Sequence, residues 1–317
     1  MQPTSPDPEP DLSCSLCGIQ LKTPVVLASG IWGTDAHLLV RAARNGAAAV
    51  TTKSCGLRER TGHANPTVLD WGGGIINAVG LANPGVDQEI TILKEARKLL
   101  RPMGTSLIAS FFGSTADEFA KVATRIQEGE PHLIEANISC PNVEADLGLP
   151  FALDPSSAAV VTEAVRRVSR VPLIVKLSPN TPRLAQVARA VQEAGADAIA
   201  AINTVGPGMV IDVRAARPVL SNLVGGISGP AILPIAVRCV YEICKVVTIP
   251  VIGIGGVLTG EDAAQMIMAG ATAVGIGSGV HYRGEKAFAI VADELRCFMR
   301  EQRYSSLRDF RGAAHEG

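Results

Sequence analysis

The amino-acid sequence predicts an α/β fold, a single-domain (β/α)8 TIM barrel, on three observations. Eight short, β-branched apolar runs alternate with amphipathic helical stretches along the chain. Parallel strands need crossovers, and eight strand–helix units fit comfortably within 317 residues. Polar residues collect just past the ends of the apolar runs, where barrel sites are built. An open doubly wound sheet is the competing arrangement, but the early glycine-rich dinucleotide turn it would carry is missing.

Taken in order, the first dozen residues are rich in Pro, Asp and Ser and read as a disordered or loosely attached tail. The expected division is a flexible tail over 1–17 and a catalytic barrel over 18–317. Strands are expected at 25–29, 48–52, 106–111, 133–139, 173–178, 198–204, 251–255 and 273–277. Helical patterns between them include 117–128, 156–169, 184–194, 231–246 and 260–269. Gly46, Gly195 and Gly270 fall just past such helices, where a left-handed cap favours glycine.

Composition narrows the function. Hydrophobic residues make up 47% and charged residues 19%, enough apolar content for a large core. With 29 Lys and Arg against 30 Asp and Glu, the net charge of −1 offers no footprint for nucleic acid or an anionic membrane. Aromatics, at 4%, are too few for a base-stacking platform. The N-terminus has neither a basic start nor an apolar run, and no segment is apolar for long enough to span a bilayer. Seven cysteines in scattered positions do not form a secreted disulfide framework. A reduced, cytoplasmic small-molecule enzyme is the expectation. Cys14 and Cys17 form a lone Cys-x-x-Cys pair without further ligands, so they read as free thiols and no metal site is expected.

The sharpest chemical segment is Glu135-Ala-Asn137-Ile-Ser-Cys140-Pro-Asn142, closing the fourth strand. A thiolate there can act as general base, flanked by amides that hold a polar substrate; an ordinary buried thiol is the plainer alternative. Lys53 and Lys176 interrupt strand ends that should be apolar. A lysine so placed either meets an anion, such as a reduced flavin or a carboxylate, or snorkels to the rim. Two glycine-rich turns, Gly253-Ile-Gly255-Gly256 and Gly275-Ile-Gly277-Ser278-Gly279, follow the seventh and eighth strands, where barrels bind phosphate. Asn77-Ala-Val79-Gly80-Leu81 and Ile202-Asn203-Thr204 offer amides, a hydroxyl and backbone donors, unless they are turn chemistry alone.

These motifs resemble the class 1 dihydroorotate dehydrogenases, above all the class 1B, NAD-linked catalytic subunit. The likeness runs from about Leu21 to Val280 through Ala28-Ser-Gly30, Thr52-Lys53, Asn77-Ala-Val-Gly-Leu81, Asn137-Ile-Ser-Cys-Pro-Asn142, Lys176-Leu-Ser-Pro-Asn180, Ile202-Asn-Thr204, Gly225-Gly-Ile-Ser-Gly-Pro230 and Gly255-Gly256. The resemblance implies FMN as cofactor, with dihydroorotate oxidised to orotate in pyrimidine biosynthesis. Cys140 would then be the base, and Lys53 would share catalysis and contact both ligands. Lys53, Asn77, Asn137, Asn142, Asn203 and Thr204, with backbone from Val79, Gly80 and Leu81, would hold the substrate. Ser29, Ser54, Asn137, Ile202 and Gly229 would line the flavin, Lys176 would face its N1 and O2 region, and Gly255, Gly256, Gly277 and Ser278 would close on its phosphate. The resemblance also implies a homodimer and a second subunit carrying FAD and an iron–sulfur cluster; without that subunit, fumarate or another soluble oxidant becomes the acceptor. A flavin enzyme for another pyrimidine or cyclic acid, or a non-catalytic flavin-binding paralogue, are the competing functions.

Four departures from the family pattern stand out. The loop over 143–151 lacks a His-Gly-Gly pattern, Ser110 replaces a frequent asparagine, Val205-Gly-Pro-Gly-Met-Val210 carries one extra residue, and Trp71-Gly-Gly-Gly74, before Asn77, is more glycine-rich than usual.

Overall fold

The computed structural model describes residues 9–139 and 151–316. Eight parallel strands close into a barrel: β1 (Val25–Leu27), β2 (Ala49–Thr51), β3 (Ser106–Phe111), β4 (Leu133–Asn137), β5 (Leu173–Leu177), β6 (Ala198–Ala201), β7 (Val251–Ile254) and β8 (Ala273–Ile276). Each pairs with its sequence neighbour, and β8 closes on β1 through Val274 with Val25, Gly275 with Val26 and Ile276 with Leu27. Every predicted strand is present. Each but β3 is shorter than expected, because the last polar residues have already turned into the mouth.

The helices α1 (Ala36–Arg44), α2 (Val86–Leu100), α3 (Ala116–Ile126), α4 (Pro155–Val168), α5 (Leu184–Glu193), α6 (Leu233–Cys244), α7 (Gly260–Met268), α8 (Gly279–Arg283) and α9 (Ala287–Glu301) surround the strands. Their starts follow local chemistry. Asp35, Thr115, Asp154 and Thr259 accept hydrogen bonds from first-turn backbone amides, satisfying donors a helix leaves open. Gly46, Gly195 and Gly270 all have positive φ, at +103°, +99° and +109°, as expected for glycines past helix ends.

One apolar layer lies between strands and helices, and a second fills the barrel interior. The interior layer comprises Val26, Ile108, Leu133, Ile174, Ile252 and Ile254 with smaller alanines. Its N-terminal end is plugged by a hairpin, Cys14–Leu16 against Ile19–Leu21, which inserts the fully buried Leu16 and Leu21. The boundary expected at residue 17 therefore falls inside an ordered hairpin: the polar composition of the first dozen residues outweighed the alternating apolar pattern that follows. Asp11 also bridges to Ser306, so the chain is tied down from there. Cys14 and Cys17 are free thiols, and burial pushes both up to about 12, which keeps them protonated at neutral pH.

Over the opposite end lies a four-stranded antiparallel sheet that the apolar runs did not announce. It joins Val68–Asp70 and Ile75–Asn77, from the loop after β2, to Val205–Gly208 and Gly225–Ser228, from the loop after β6. Between Val205, opposite Ile227, and Gly208, opposite Gly225, one strand advances three residues and the other two. That offset is a β-bulge, with one more residue on the Val205–Gly208 strand than on its partner. No helix among the described residues is long and apolar enough to cross a membrane.

Candidate active site

The lid sheet and the C-terminal strand ends enclose a cavity of about 680 Å³, within the range of roughly 300–1,000 Å³ typical of cofactor and substrate sites. Ser29 follows β1, Lys53 and Ser54 follow β2, Asn137 ends β4, and Lys176 lies within β5. Ile202, Asn203 and Thr204 follow β6, while the two glycine-rich turns follow β7 and β8. The cavity thus brings together Ser29, Lys53, Ser54, Asn77, Val79, Gly80, Leu81, Asn137, Lys176, Ile202, Asn203, Thr204, Gly255, Gly256, Gly277 and Ser278. Gly229 is the exception: it caps the short helix Pro230–Ile232 and packs towards Tyr282, leaving its neighbour Ser228 on the cavity wall. Cys140 and Asn142 lie outside the described residues.

Lys176 sits in β5 opposite Asn137 of β4 and is only 5% exposed. Among the described residues it has neither hydrogen bond nor ion pair, so its ammonium is a buried cation facing a cavity, and an anion there would relieve its desolvation. At the glycine turns, Gly255 and Gly256 adopt positive φ, +137° and +76°. A Cβ on either would strike the α6 segment, 2.6 Å from Ala236 Cβ and 2.7 Å from the Leu233 amide, so only glycine lets the turn pass between helix and cavity. Gly277 is open, with nothing nearer than Ala28 Cβ at 3.9 Å. Backbone amides at such turns are the elements from which phosphate sites are made.

On the lid side, Gly80 and Leu81 have consecutive positive φ, +73° and +58°. Left-handed turns of this kind turn backbone amides toward a common concavity suited to a carboxylate. The loop is held by His63, whose amide donates to Val79 O at 3.1 Å and whose Nδ1 lies 3.0 Å from Ala78 O. His63, Asn180 and His281 line the cavity as well. Asn180 was visible as the end of a motif, but nothing in the pattern gave it a role; it accepts from the Gly206 amide and donates to Thr204 O. His281 meets Asp70 of the lid at 2.9 Å, a pairing of residues 211 apart for which no local signal exists.

Beneath the cavity a chain of polar side chains crosses the barrel. Ser110 Oγ donates to Glu135 Oε1 at 2.8 Å, and Ser54 and Ser110 hydroxyls are 2.9 Å apart. Asn137 Nδ2 donates to Ser54 Oγ at 3.1 Å, Ser139 Oγ donates to Asn137 Oδ1, and Asn203 Nδ2 donates to Ser139 Oγ. Ser29 Oγ is anchored on Thr52 O at 2.7 Å. Among the described residues, no group of three or more His, Cys, Asp or Glu side chains is placed to hold a metal ion.

Fold and site together define an enzyme of the (β/α)8 class whose cavity, at the C-terminal mouth of the barrel, is lined by two lysines and two glycine-rich turns. A profile described as dihydroorotate dehydrogenase matches residues 11–299. The chain is 44% identical over 305 residues to the catalytic subunit of dihydroorotate dehydrogenase B (NAD(+)) of Methanocaldococcus jannaschii, covering 96% of this chain and 98% of the relative. The protein of the same name from Methanothermobacter thermautotrophicus is 43% identical over 305 residues, covering 96% and 99%. That from Pyrococcus abyssi is 41% identical over 303 residues, again covering 96% and 99%. The chain belongs to the dihydroorotate dehydrogenase family, and is an oxidoreductase.

Proposed function

We propose that the cavity holds FMN beside dihydroorotate and that the chain removes two hydrogens from the substrate to give orotate. The observation that carries the reading is the meeting of Lys53 and Lys176 with both glycine turns in one cavity. The fit to FMN rests on the buried, unpartnered Lys176 ammonium and on the turn after β7, where a Cβ on Gly255 or Gly256 would collide with α6. Gly255, Gly256, Gly277 and Ser278 would hold the phosphate, Ser29, Ser54, Asn137 and Ile202 the rest of the cofactor. Gly229, off the cavity wall, would act by placing Ser228.

Bound FMN would supply the acceptor for the hydride that leaves C6 of the substrate. Cys140, as thiolate, would take the C5 proton, so that a C5–C6 double bond forms and charge balances. Lys53 and the amides at Val79–Leu81 would hold the substrate carboxylate, and Asn77, Asn137, Asn142, Asn203 and Thr204 the ring. Lys176 would stabilise negative charge as it develops on the cofactor side, in a site shielded from water by the lid. As the curated relatives are catalytic subunits, a second subunit carrying FAD and an iron–sulfur cluster would pass the electrons on, and the chain would work as a homodimer in the cytoplasm.

The test is a visible spectrum of the purified protein, before and after anaerobic addition of dihydroorotate. Oxidised-flavin bands that bleach on addition support cofactor and substrate together. A flavin that stays oxidised rejects the substrate and turns attention to another pyrimidine or cyclic acid. Failure to bind FMN even when it is supplied rejects the reading of the cavity.

A further inference from the structure

We propose that Asp70 and His281 form a latch that holds the lid sheet down on α8 and slows the escape of a bound cofactor; the cofactor part rests on the reading of the cavity just given. Both are positioning residues, acting through the lid rather than on the reaction. Asp70 ends the lid strand Val68–Asp70, and His281 lies in α8, which begins directly after the Gly277–Ser278 turn. His281 Nε2 meets Asp70 Oδ2 at 2.9 Å. A carboxylate only accepts, so Nε2 carries the proton whether or not the ring is charged, and the contact survives in both states.

The lid tip is built to present Asp70. Val68–Asp70 and Ile75–Asn77 form a hairpin in which Asp70 lies opposite Ile75, and Val68 opposite Asn77. The turn between them is Trp71-Gly-Gly-Gly74, closed by the Trp71 amide donating to Gly74 O at 3.1 Å. Asp70 Oδ1 accepts from the Gly72 amide at 2.8 Å, which leaves Oδ2 for His281. Gly72 has φ +89°, and a Cβ on Gly73 or Gly74 would lie 2.8 Å from the Trp71 indole. The glycines therefore let the indole fold back over the tip, which is the physical reason for the glycine-rich stretch before Asn77.

The same elements meet a second time at Gly229, where a Cβ would stand 3.2 Å from both Gly74 Cα and the Tyr282 hydroxyl. The short helix α8 thus joins two parts of the site. It follows the proposed phosphate turn, and its His281 grips a hairpin whose other strand carries Asn77. The His281 and Asp70 side chains are 52% and 31% exposed, so water screens the pair and its strength is modest.

Two rates test the proposal. Hydrogen exchange of the lid-sheet amides in 75–77 and 225–228 reports lid opening in the flavin-free protein. FMN release, read as the return of free-flavin fluorescence after dilution, reports cofactor retention. His281→Phe keeps an aromatic ring for the edge-on contact with Tyr282, 4.9 Å between centroids, but removes the N–H. It should raise both rates about 2- to 5-fold, the range open to a solvent-screened pair. His281→Gln, which returns an N–H donor of similar reach, should restore both. In an Asp70→Ala background His281→Phe should have no further effect, since its partner is already gone.

Unchanged lid exchange in His281→Phe, or an undiminished effect in the Asp70→Ala background, overturns the latch. Faster exchange with unchanged FMN release overturns the retention role. Wild-type protein that takes up no FMN rejects the reading of the cavity, and lid exchange then decides the latch by itself. If Asp70→Ala does not fold, the contrast between His281→Phe and His281→Gln carries the same expectations.

Discussion

Gly226 of the lid packs against Thr204 at the end of β6 so closely that a Cβ on Gly226 would lie 2.7 Å from Thr204 Cβ, and nearer still to its hydroxyl. Gly226 also pairs with Asn77 across the lid sheet, and Asn77 Nδ2 donates to its carbonyl at 3.4 Å. One glycine thus seats two proposed substrate contacts. Gly226→Ala should displace the lid from Thr204 and lower kcat/KM for dihydroorotate by about 100-fold, the scale of a misplacement near 1 Å. Steady-state kinetics with a dye acceptor checks this. A variant with unchanged kcat/KM would show that the lid does not set the substrate's position.

Cys140 is assigned by its place in the Asn137-Ile-Ser-Cys-Pro-Asn142 motif. Cys140→Ala should keep bound flavin and orotate affinity while turnover falls by about 100- to 10,000-fold, the usual contribution of a positioned base. Cys140→Ser should recover part of that loss only at alkaline pH, because a hydroxyl gives up its proton less readily than a thiol. Turnover of Cys140→Ser equal to the wild type at neutral pH would remove Cys140 from the mechanism.

Lys176 exemplifies a residue kept at the expense of stability. A methionine there fills similar volume without a buried charge, so the apoprotein of Lys176→Met should be more stable by about 1–3 kcal/mol. The same change should lower the flavin midpoint potential by roughly 30 mV or more, about 1.4 kcal/mol for a two-electron couple. Denaturant unfolding of the apoprotein and redox titration of the loaded protein measure the two effects. Reduced apoprotein stability with an unchanged potential would mean that the lysine serves the barrel and not the cofactor.

The barrel was legible because its signals are local. Runs such as Ala198–Ala201 are buried on both faces and therefore continuously apolar, and glycines such as Gly195 mark helix ends. Lys53, Lys176 and the paired glycine turns stood out because each breaks that local pattern. What stayed hidden depends on contacts between distant segments. Residues 75–77 and 225–228 pair across the lid in strands only three and four residues long, too short to show periodicity. His63 and Asp70 have ordinary surroundings in the sequence and acquire meaning only through Ala78 and His281. Glu135 was read as part of the Cys140 motif, yet its side chain serves the interior of the barrel.

Leu16 carries the hairpin plug. It is fully buried among barrel-interior residues at the end away from the cavity. Leu16→Ala should cost about 2–5 kcal/mol of folding stability, transfer and cavity terms together. Orotate affinity of the folded fraction should be unchanged. Denaturant melts and calorimetry separate the two. A stability loss below about 1 kcal/mol would mean that the first 17 residues are a dispensable appendage after all.

Glu89, in the first turn of α2, is fully buried, and among the described residues neither carboxyl oxygen has a hydrogen-bond partner of good geometry. Burial pushes its pKa from 4.5 up to about 7, the Thr52 side chain nearby offsetting part of the rise. The sign follows from proton binding. Between about pH 4.5 and 7 the folded protein holds a proton on Glu89 that the unfolded chain has released, so stability falls as pH rises through that window and then levels off. Across the window the loss amounts to about 3 kcal/mol. Glu89→Gln, which carries no charge at any pH, should match the wild type near pH 4.5 and become progressively more stable than it up to pH 7. Urea unfolding of both proteins from pH 4.5 to 8 measures the divergence, and curves that run parallel over that range would show that Glu89 keeps an ordinary carboxylate in the fold.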